Sequence, residues 1–299
     1  MFLLRPSLTR RVNLSSPTKP GKNNMTNFSR RQFAGVLLLA TLAVVNSSTA
    51  AESTYIVAHR GLLRHAPENT MANFRTCLEL RLGFEFDVQR SKDGHLVCVH
   101  DNTVNRTTNG KGVVTELTLA QLKQLDAGSW FGPEFAGERV PTIDELFALL
   151  AKHRSKPVLA AVDMKGSDPQ IEADVVRLAN KHKVLDKLLF IGRTISTPEV
   201  RQRLKKADAK THIATVANNA GEFTAALKDR YSDWVYVRYI PSREEVRRAK
   251  ALGKPLFIAG ATVAGEESAN WLKVHAVGVT GILTDHPLTL RRVLRDAKK

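Results

Sequence analysis

Leu82-Gly83-Phe84-Glu85-Phe86-Asp87-Val88 is an apolar run in which two carboxylates stand two positions apart. Side chains of a strand alternate between faces, so Phe84, Phe86 and Val88 share one face and Glu85 and Asp87 the other. The apolar face reads as covered by helices, which turns both acids inward. An uncompensated buried carboxylate is costly, so a cation or a basic partner is expected beside them.

Similar β-rich runs recur at 55–59, 158–164, 188–192, 212–216, 234–237, 256–259 and 279–284, making eight with 84–88. Segments with 3.6-residue apolar spacing lie between them, among them 171–182, 198–207, 223–230, 244–252 and 267–275. Thr142-Ile143-Asp144-Glu145 is a capping box that opens a helix running to about His153. Eight β/α units predict an α/β fold, a closed (β/α)8 TIM barrel with its site at the C-terminal strand ends. A ninth run, 96–100, follows the second strand through Asp93-Gly94, a two-residue hairpin signal. That turn would set residue i opposite residue 187 − i and bring Asp87 to face His100; a one-residue slip would turn His100 to the opposite face. Residues 101–141, rich in Thr, Gly and Asn with one helical piece at 119–125, break the rhythm and read as a small insertion over the barrel mouth, after the second strand and its hairpin.

Residues 1–51 read as a twin-arginine export signal: Ser29-Arg30-Arg31-Gln32-Phe33, an apolar run to Val45, then Ser48-Thr49-Ala50-Ala51. Met25 is an alternative start, and a retained N-terminal anchor is the competing reading. The apolar stretch is shorter than the ~20 residues of a membrane span, so a periplasmic or secreted protein is expected. Seven of the 45 Lys and Arg lie in this segment and none of the 29 acids, so residues 52–299 carry a net charge of +9 rather than +16. That excess suits phosphorylated substrates or an anionic surface, or simply a solvated basic face. No basic run interleaved with aromatics points to nucleic acid. The 248 residues after the signal suit one barrel domain, 52–299. Cys77 falls in a helical stretch outside the sheet and Cys98 shares strand parity with His100, so both are predicted to be free thiols.

His59-Arg60-Gly61, Pro67-Glu68-Asn69-Thr70, Glu85-Phe86-Asp87 and His100-Asp101 gather two histidines, an arginine and several carboxylates within some forty positions. With Lys92-Asp93-Gly94, Asn105-Arg106-Thr107-Thr108-Asn109-Gly110, Asp126-Ala127-Gly128-Ser129-Trp130-Phe131 and Val140-Pro141-Thr142, the chain resembles the glycerophosphodiester phosphodiesterase family across nearly all of residues 52–299. The resemblance implies a barrel with an insertion, a divalent cation (Ca²⁺ or Mg²⁺) and hydrolysis of glycerophosphodiesters to an alcohol and sn-glycerol 3-phosphate. It also implies attack by the substrate's own glycerol hydroxyl through a cyclic phosphate. Two departures stand out. Asp163-Met164-Lys165 occupies the place of an E-x-K pattern, so the third metal carboxylate is one methylene shorter. Phe257-Ile258-Ala259-Gly260 stands where relatives commonly carry W-T-V-N, which would take an aromatic and an amide from the site rim.

Hydrolysis of an anionic diester needs charge neutralisation, a base and an acid. Glu85, Asp87 and Asp163 are the expected ligands of a hard cation. Arg60 and Lys165 are expected to hold the phosphate oxygens, the first by a planar fork and the second as a point charge. His59 and His100 fit the acid and base, with the assignment between them open. Glu68 has two readings, a helix N-terminal residue favoured by the dipole or a support for the site. Trp130 and Phe131 either line the substrate mouth or anchor their own loop. The competing functions are a phospholipase-type phosphodiesterase acting on lysophospholipid or phosphoinositide, which would need an apolar rim, and a non-catalytic phosphate-binding protein, which would be expected to lack a histidine or a metal ligand. A nucleic-acid phosphodiesterase rests on charge alone. The sequence sets no oligomeric state.

Overall fold

The run that opens the sequence argument forms β2 (Gly83–Arg90), buried along all but its last residue. Phe84 packs at a tilt on Phe74, and Phe86 meets both Phe74 and Phe147 edge-on, at 6.3 and 6.0 Å. These two partners come from the flanking helices, so the apolar face points outward and Glu85 and Asp87 point into the barrel. The structure, a computed structural model, describes residues 54–153, 158–166 and 168–297. The expected export signal, 1–51, lies outside the described residues.

Among the described residues the remaining strands are β1 (Tyr55–Ala58), β3 (Leu96–Val97), β4 (Ala160–Met164), β5 (Leu188–Ile191), β6 (Ala214–Ala217), β7 (Trp234–Val237), β8 (Leu256–Ile258) and β9 (Gly281–Thr284). All but β3 run parallel, in the order β5-β4-β2-β1-β9-β8-β7-β6. A single parallel bridge, Phe190↔Ile213, joins the two ends of this path. The result is the expected TIM barrel, nearly closed, with eight parallel strands. The helices that cover it are α1 (Met71–Glu79), α2 (Leu119–Gln124), α3 (Ile143–Lys152), α4 (Ile171–His182), α5 (Pro198–Ala207), α6 (Ala220–Lys228), α7 (Arg243–Ala251), α8 (Ala261–Ala264), α9 (Ser268–Val277) and α10 (Pro287–Asp296). The capping box at Thr142 is present, Thr142 and Glu145 satisfying each other's backbone N–H. α6 begins three residues before its predicted start because Asn219 caps it by accepting from the Glu222 N–H.

The hairpin differs from expectation. Gln89 pairs with Val97 and Arg90 with Leu96, so partners sum to 186 rather than 187. The Ser91 N–H donates to the His95 carbonyl at 2.8 Å, which makes Lys92-Asp93-Gly94 a three-residue loop with Gly94 at φ 89°. The Gly94 N–H donates back to the Ser91 carbonyl at 3.0 Å and the glycine is left-handed, a closure that takes one residue more than the two-residue turn. The ladder also stops at Val97, because the next N–H, that of Cys98, goes to the Pro141 carbonyl at 2.9 Å. Asp87 therefore does not pair with His100. Released from the ladder, His100 is aimed by Gln89, whose amide donates to the carbonyls of Val99 and Asp101 on either side of it.

The main core fills the barrel interior and packs β1–β5 against α1, α3, α4 and α5. A second cluster joins β6–β9 to α6, α7, α9 and α10. Between β3 and α3 the chain carries α2 and a small core of its own, around Val104, Val114, Leu122 and Val140. Cys77 and Cys98 are both buried and unpaired. Burial pushes the Cys77 thiol up to about 12 and raises that of Cys98 well above its ordinary value, so neither thiol is reactive near neutrality. No helix among the described residues is long and apolar enough to cross a membrane.

Candidate active site

β1 ends at Ala58, and the chain turns at once through Arg60 (φ 50°) and Gly61 (φ 76°). Asn73 of α1 holds this turn, its side chain accepting from the Leu62 N–H and donating to the carbonyls of Ala66 and Pro67. A Cβ at Gly61 would come within 2.1 Å of Asn73 Oδ1, so no larger residue fits after His59-Arg60. The turn places His59 over the strand end, with Nδ1 2.7 Å from Asp285 Oδ1. It also aims the Arg60 N–H at Glu85 Oε2, 2.8 Å away.

Parallel pairing of β2 with β4 sets Asp87 directly beside Asp163. Glu85, Asp87 and Asp163 each present an oxygen within 4.8 Å of the others. The shorter Asp163 still reaches because its carboxylate leans over Gly192, just past β5: a Cβ there would lie 2.0 Å from Asp163 Oδ1. Lys165 answers this negative charge. Its Nζ donates to Asp163 Oδ2 at 2.6 Å and stands 2.9 Å from Asp87 Oδ1, which itself has no hydrogen-bond partner. Asn69, at φ 56°, fixes the other side of Asp87 by donating from Nδ2 to Oδ2 at 2.7 Å and accepting the Asp87 N–H.

The electrostatics follow from crowding. Burial raises the Glu85 carboxyl well above its ordinary range, and Asp87 and Asp163 add to the shift. Burial likewise raises Asp163, partly offset by Lys165. Burial disfavours charge on Lys165, but Asp87 and Asp163 outweigh it and raise its pKa. Three inward carboxylates face one ammonium, with the Arg60 Nε 3.9 Å from Asp87 and likewise without a hydrogen-bond partner. An all-oxygen donor set with excess negative charge fits a hard divalent cation.

His100 comes to the same mouth from the loop after β3, close enough to Asp163 to lower its pKa. Its Nδ1 lies 2.8 Å from Asp101 Oδ1. Arg106 grips both oxygens of Asp101 and both oxygens of the buried Glu68, and Glu68 in turn accepts from Arg60 Nη1 at 3.1 Å. Glu68 lies two residues before the Thr70 cap, outside the first turn of α1, so the helix-dipole reading does not hold and its carboxylate is spent on the two arginines of the site. Its pKa is lowered: burial opposes this, but Arg106 and Arg60 prevail.

All eight residues singled out from sequence (His59, Arg60, Glu68, Glu85, Asp87, His100, Asp163 and Lys165) therefore meet at one end of the barrel. Five neighbours were given no role by that reading: Asn69, Asp101, Arg106, Tyr236 and Asp285. Asp285 follows the last strand directly, the position at which barrel enzymes place functional groups. Tyr236 points into the barrel, where its hydroxyl senses Arg238, Asp163, Glu85 and Lys165 after the dominant effect of burial. Phe257 corrects an expectation: it is fully buried against Tyr236, rings 5.9 Å apart, and forms the barrel floor rather than the rim. Trp130 donates to its own loop's Ala127 carbonyl and meets Phe131 edge-on, as a loop anchor does. A groove of about 460 Å³ opens beside Lys165, lined by Gln89, Asn102, Val113, Thr115 and Gly166.

The sequence model of the Glycerophosphoryl diester phosphodiesterase family matches residues 59–289. A glycerophosphodiester phosphodiesterase of Caldanaerobacter subterraneus is 36% identical over 249 residues, which cover 81% of this chain and 98% of that protein. The crystal structure of a glycerophosphodiester phosphodiesterase from Agrobacterium tumefaciens superposes with a TM-score of 0.69 at 25% identity, covering 80% of this chain and 100% of that one. A phosphodiesterase from Oleispira antarctica, solved in complex with the product sn-glycerol-3-phosphate, shares the fold with a TM-score of 0.66 at 24% identity, covering 81% and 96%. Together with the barrel and its carboxylate-lined mouth, the family match and the full-length relative show that the chain belongs to the glycerophosphoryl diester phosphodiesterase family and is a phosphoric diester hydrolase.

Proposed function

We propose that this chain hydrolyses glycerophosphodiesters to an alcohol and sn-glycerol 3-phosphate, with His59 and His100 exchanging protons and Arg60 and Lys165 holding the phosphate. The observation that carries the reading is the pairing of each histidine Nδ1 with an aspartate, at 2.7 Å for His59–Asp285 and 2.8 Å for His100–Asp101. An ionised carboxylate only accepts, so each Nδ1 bears a proton and each Nε2 is left to exchange one. Both aspartates stay ionised. Asp101 is held well below the usual range by Arg106 and His100, and Asp285 is lowered by His59 against the opposing effect of burial.

One Nε2 takes the proton of the attacking glycerol hydroxyl as its oxygen bonds to phosphorus. The other protonates the departing alcohol as the old P–O bond breaks. Water then opens the cyclic phosphate with the two roles exchanged. Arg60 Nε makes no hydrogen bond and is the donor left to meet a phosphate oxygen. Glu85, Asp87 and Asp163 would hold Ca²⁺ or Mg²⁺, which supplies neutralisation of the phosphoryl charge. The leaving alcohol has room in the groove beside Lys165.

The relatives' names support the substrate class, as does the product bound in the Oleispira antarctica structure. Release of sn-glycerol 3-phosphate from glycerophosphocholine by residues 52–299, before and after chelation and with Ca²⁺ or Mg²⁺ restored, tests the reading. Release that ignores chelation removes the metal from the proposal, and no release with any head group or metal removes the substrate. Cyclic glycerophosphate should appear transiently; its absence, with inversion of configuration at phosphorus, rejects the two-step route.

Export through the twin-arginine route to the periplasm or beyond belongs to the same proposal, on the strength of Ser29-Arg30-Arg31-Gln32-Phe33 and its apolar run. Mature protein still found outside the cytoplasm after Arg30→Lys and Arg31→Lys would reject it.

A further inference from the structure

Arg106 sits on the loop after β3, and its guanidinium spends four hydrogen bonds on two acids from different parts of the chain. Nε and Nη2 reach the two oxygens of Asp101 at 2.7 and 3.1 Å, and Nη1 and Nη2 reach the two oxygens of Glu68 at 2.8 Å each. Each acid then carries one further group of the site. Asp101 Oδ1 pairs with His100 Nδ1, and Glu68 Oε1 accepts from Arg60 Nη1. An unbroken polar chain thus runs His100–Asp101–Arg106–Glu68–Arg60, with one planar cation at its centre. Two bidentate contacts fix the orientation of both carboxylates as well as their charge.

The loop has a framework apart from this clamp. Thr103 bridges Val113, the Val104 N–H donates to Gly112, the Val114 N–H donates to Asn102, and Val104 and Val114 are fully buried in the insertion's own core. Arg106 itself leaves 44% of its side chain in solvent. Its four bonds are therefore spent on holding Asp101 and Glu68 in place relative to each other.

From this geometry we infer that Arg106 is a positioning residue that couples the proton-transferring His100 to the phosphate-holding Arg60. The inference rests on the roles proposed above for those two residues. Through Asp101 it keeps the His100 ring turned with Nε2 toward the phosphate, which bears on turnover. Through Glu68 it keeps the Arg60 fork in line with the phosphate oxygens, which bears on binding.

Steady-state kinetics on glycerophosphocholine separate the two arms, with thermal melting recorded for every variant. Arg106→Met is expected to lower kcat about 10- to 100-fold, the usual scale for groups that orient a site, and to raise KM several-fold. Asp101→Asn should reproduce the loss in kcat and Glu68→Gln the rise in KM. In the Arg106→Met/Glu68→Gln double variant, KM should be no higher than in the worse single variant, because both changes cut the same chain. Arg106→Lys should recover little, since an ammonium cannot give two parallel bonds to each acid. The inference is overturned if Arg106→Met stays within twofold of the wild type in both constants, or if its only effect is a lower Tm with activity per folded molecule intact. Should His100→Ala keep full turnover, the proposed role of His100 falls and the inference with it; an inactive His100→Ala beside an unaffected Arg106→Met overturns the inference alone.

Discussion

The β2–β4 seam joins strands that carry three inward acids and the β5–β6 seam joins strands with no charged residue, yet the first holds five residue pairs in register, from Phe84↔Ala160 to Val88↔Met164, and the second a single bridge. The first seam has to be rigid. It sets Asp87 directly opposite Asp163, a like-charge pair that opposes pairing, and the distance between those two carboxylates fixes the cation-sized space. The second seam carries neither a proposed proton carrier nor a carboxylate of the cluster. Its link is the Phe190 N–H donating to the His212 carbonyl at 2.9 Å, and His212 and Ile213 are tied on their other side to the start of β7, where Asp233 accepts the Ile213 N–H at 2.8 Å and lies 2.6 Å from His212 Nδ1. Accuracy is concentrated where charges must be held against their own repulsion, and closure alone is left to weaker contacts.

Breaking the charged pair should cost most. Asp163→Asn removes one side of it, and kcat/KM is expected to fall about 10²- to 10⁴-fold, the several kcal/mol that charge neutralisation contributes to such a reaction. Titration of the variant with Mg²⁺ or Ca²⁺ should show weakened saturation; a variant that saturates like the wild type would detach Asp163 from the cation. His59→Ala is expected to lower kcat about 10²- to 10⁴-fold as well. Asp285→Asn, which leaves the ring but not its tautomer, should lie between that variant and the wild type.

Gly192→Ala sharpens the comparison from the β5 side. The new methyl would fall on Asp163 Oδ1, at a φ of 90° that non-glycine residues adopt only under strain. About 1–3 kcal/mol of stability should be lost, together with a 10- to 100-fold drop in kcat/KM if the carboxylate is displaced. Melting and kinetics on one sample distinguish strain alone from strain plus displacement.

The smallest effect belongs to the loose seam. Asp233 raises the pKa of His212 above its ordinary 6.5, against a smaller opposing effect of burial. A raised folded pKa means the native state binds the proton more tightly than the unfolded chain. The contribution is therefore complete below pH 6.5 and is lost as pH rises through the folded value. His212→Gln should lower Tm at pH 5 to 6 and converge with the wild type at alkaline pH. Because the histidine is 41% exposed, the difference should stay within the ~1 kcal/mol of surface ion pairs. An equal Tm deficit at every pH would mean that the imidazole acts by packing and not by charge.

The carboxylates, cations and histidines of the mouth were readable because each sits in a short local pattern: a strand of alternating faces, or a turn directly after a strand. Asp285 also follows a strand directly and Arg106 lies in a stretch that carries the resemblance, but neither position says which group it will meet. Asp285 becomes a partner of His59 only because β9 closes beside β1, 226 positions along the chain. Arg106 matters only because its loop folds back over Glu68, 38 positions earlier. The hairpin register escaped for a related reason, since Asp93-Gly94 is compatible with loops of two or three residues and only the pull of Pro141 on Cys98 shows where the ladder ends.

By itself the sequence determined the eight-fold β/α rhythm, the inward turn of Glu85 and Asp87, and the set of groups able to neutralise a phosphate and move its protons. These follow from side-chain alternation and burial cost, which act over a few residues. Tertiary structure alone decided which partner each group obtained: Asp285 for His59, Lys165 between Asp87 and Asp163, Gly192 beneath Asp163, and Arg106 between His100 and Arg60. Such partners are chosen by strand order, register and loop path. Those are set by the packing of the whole barrel, and no short stretch of chain encodes them.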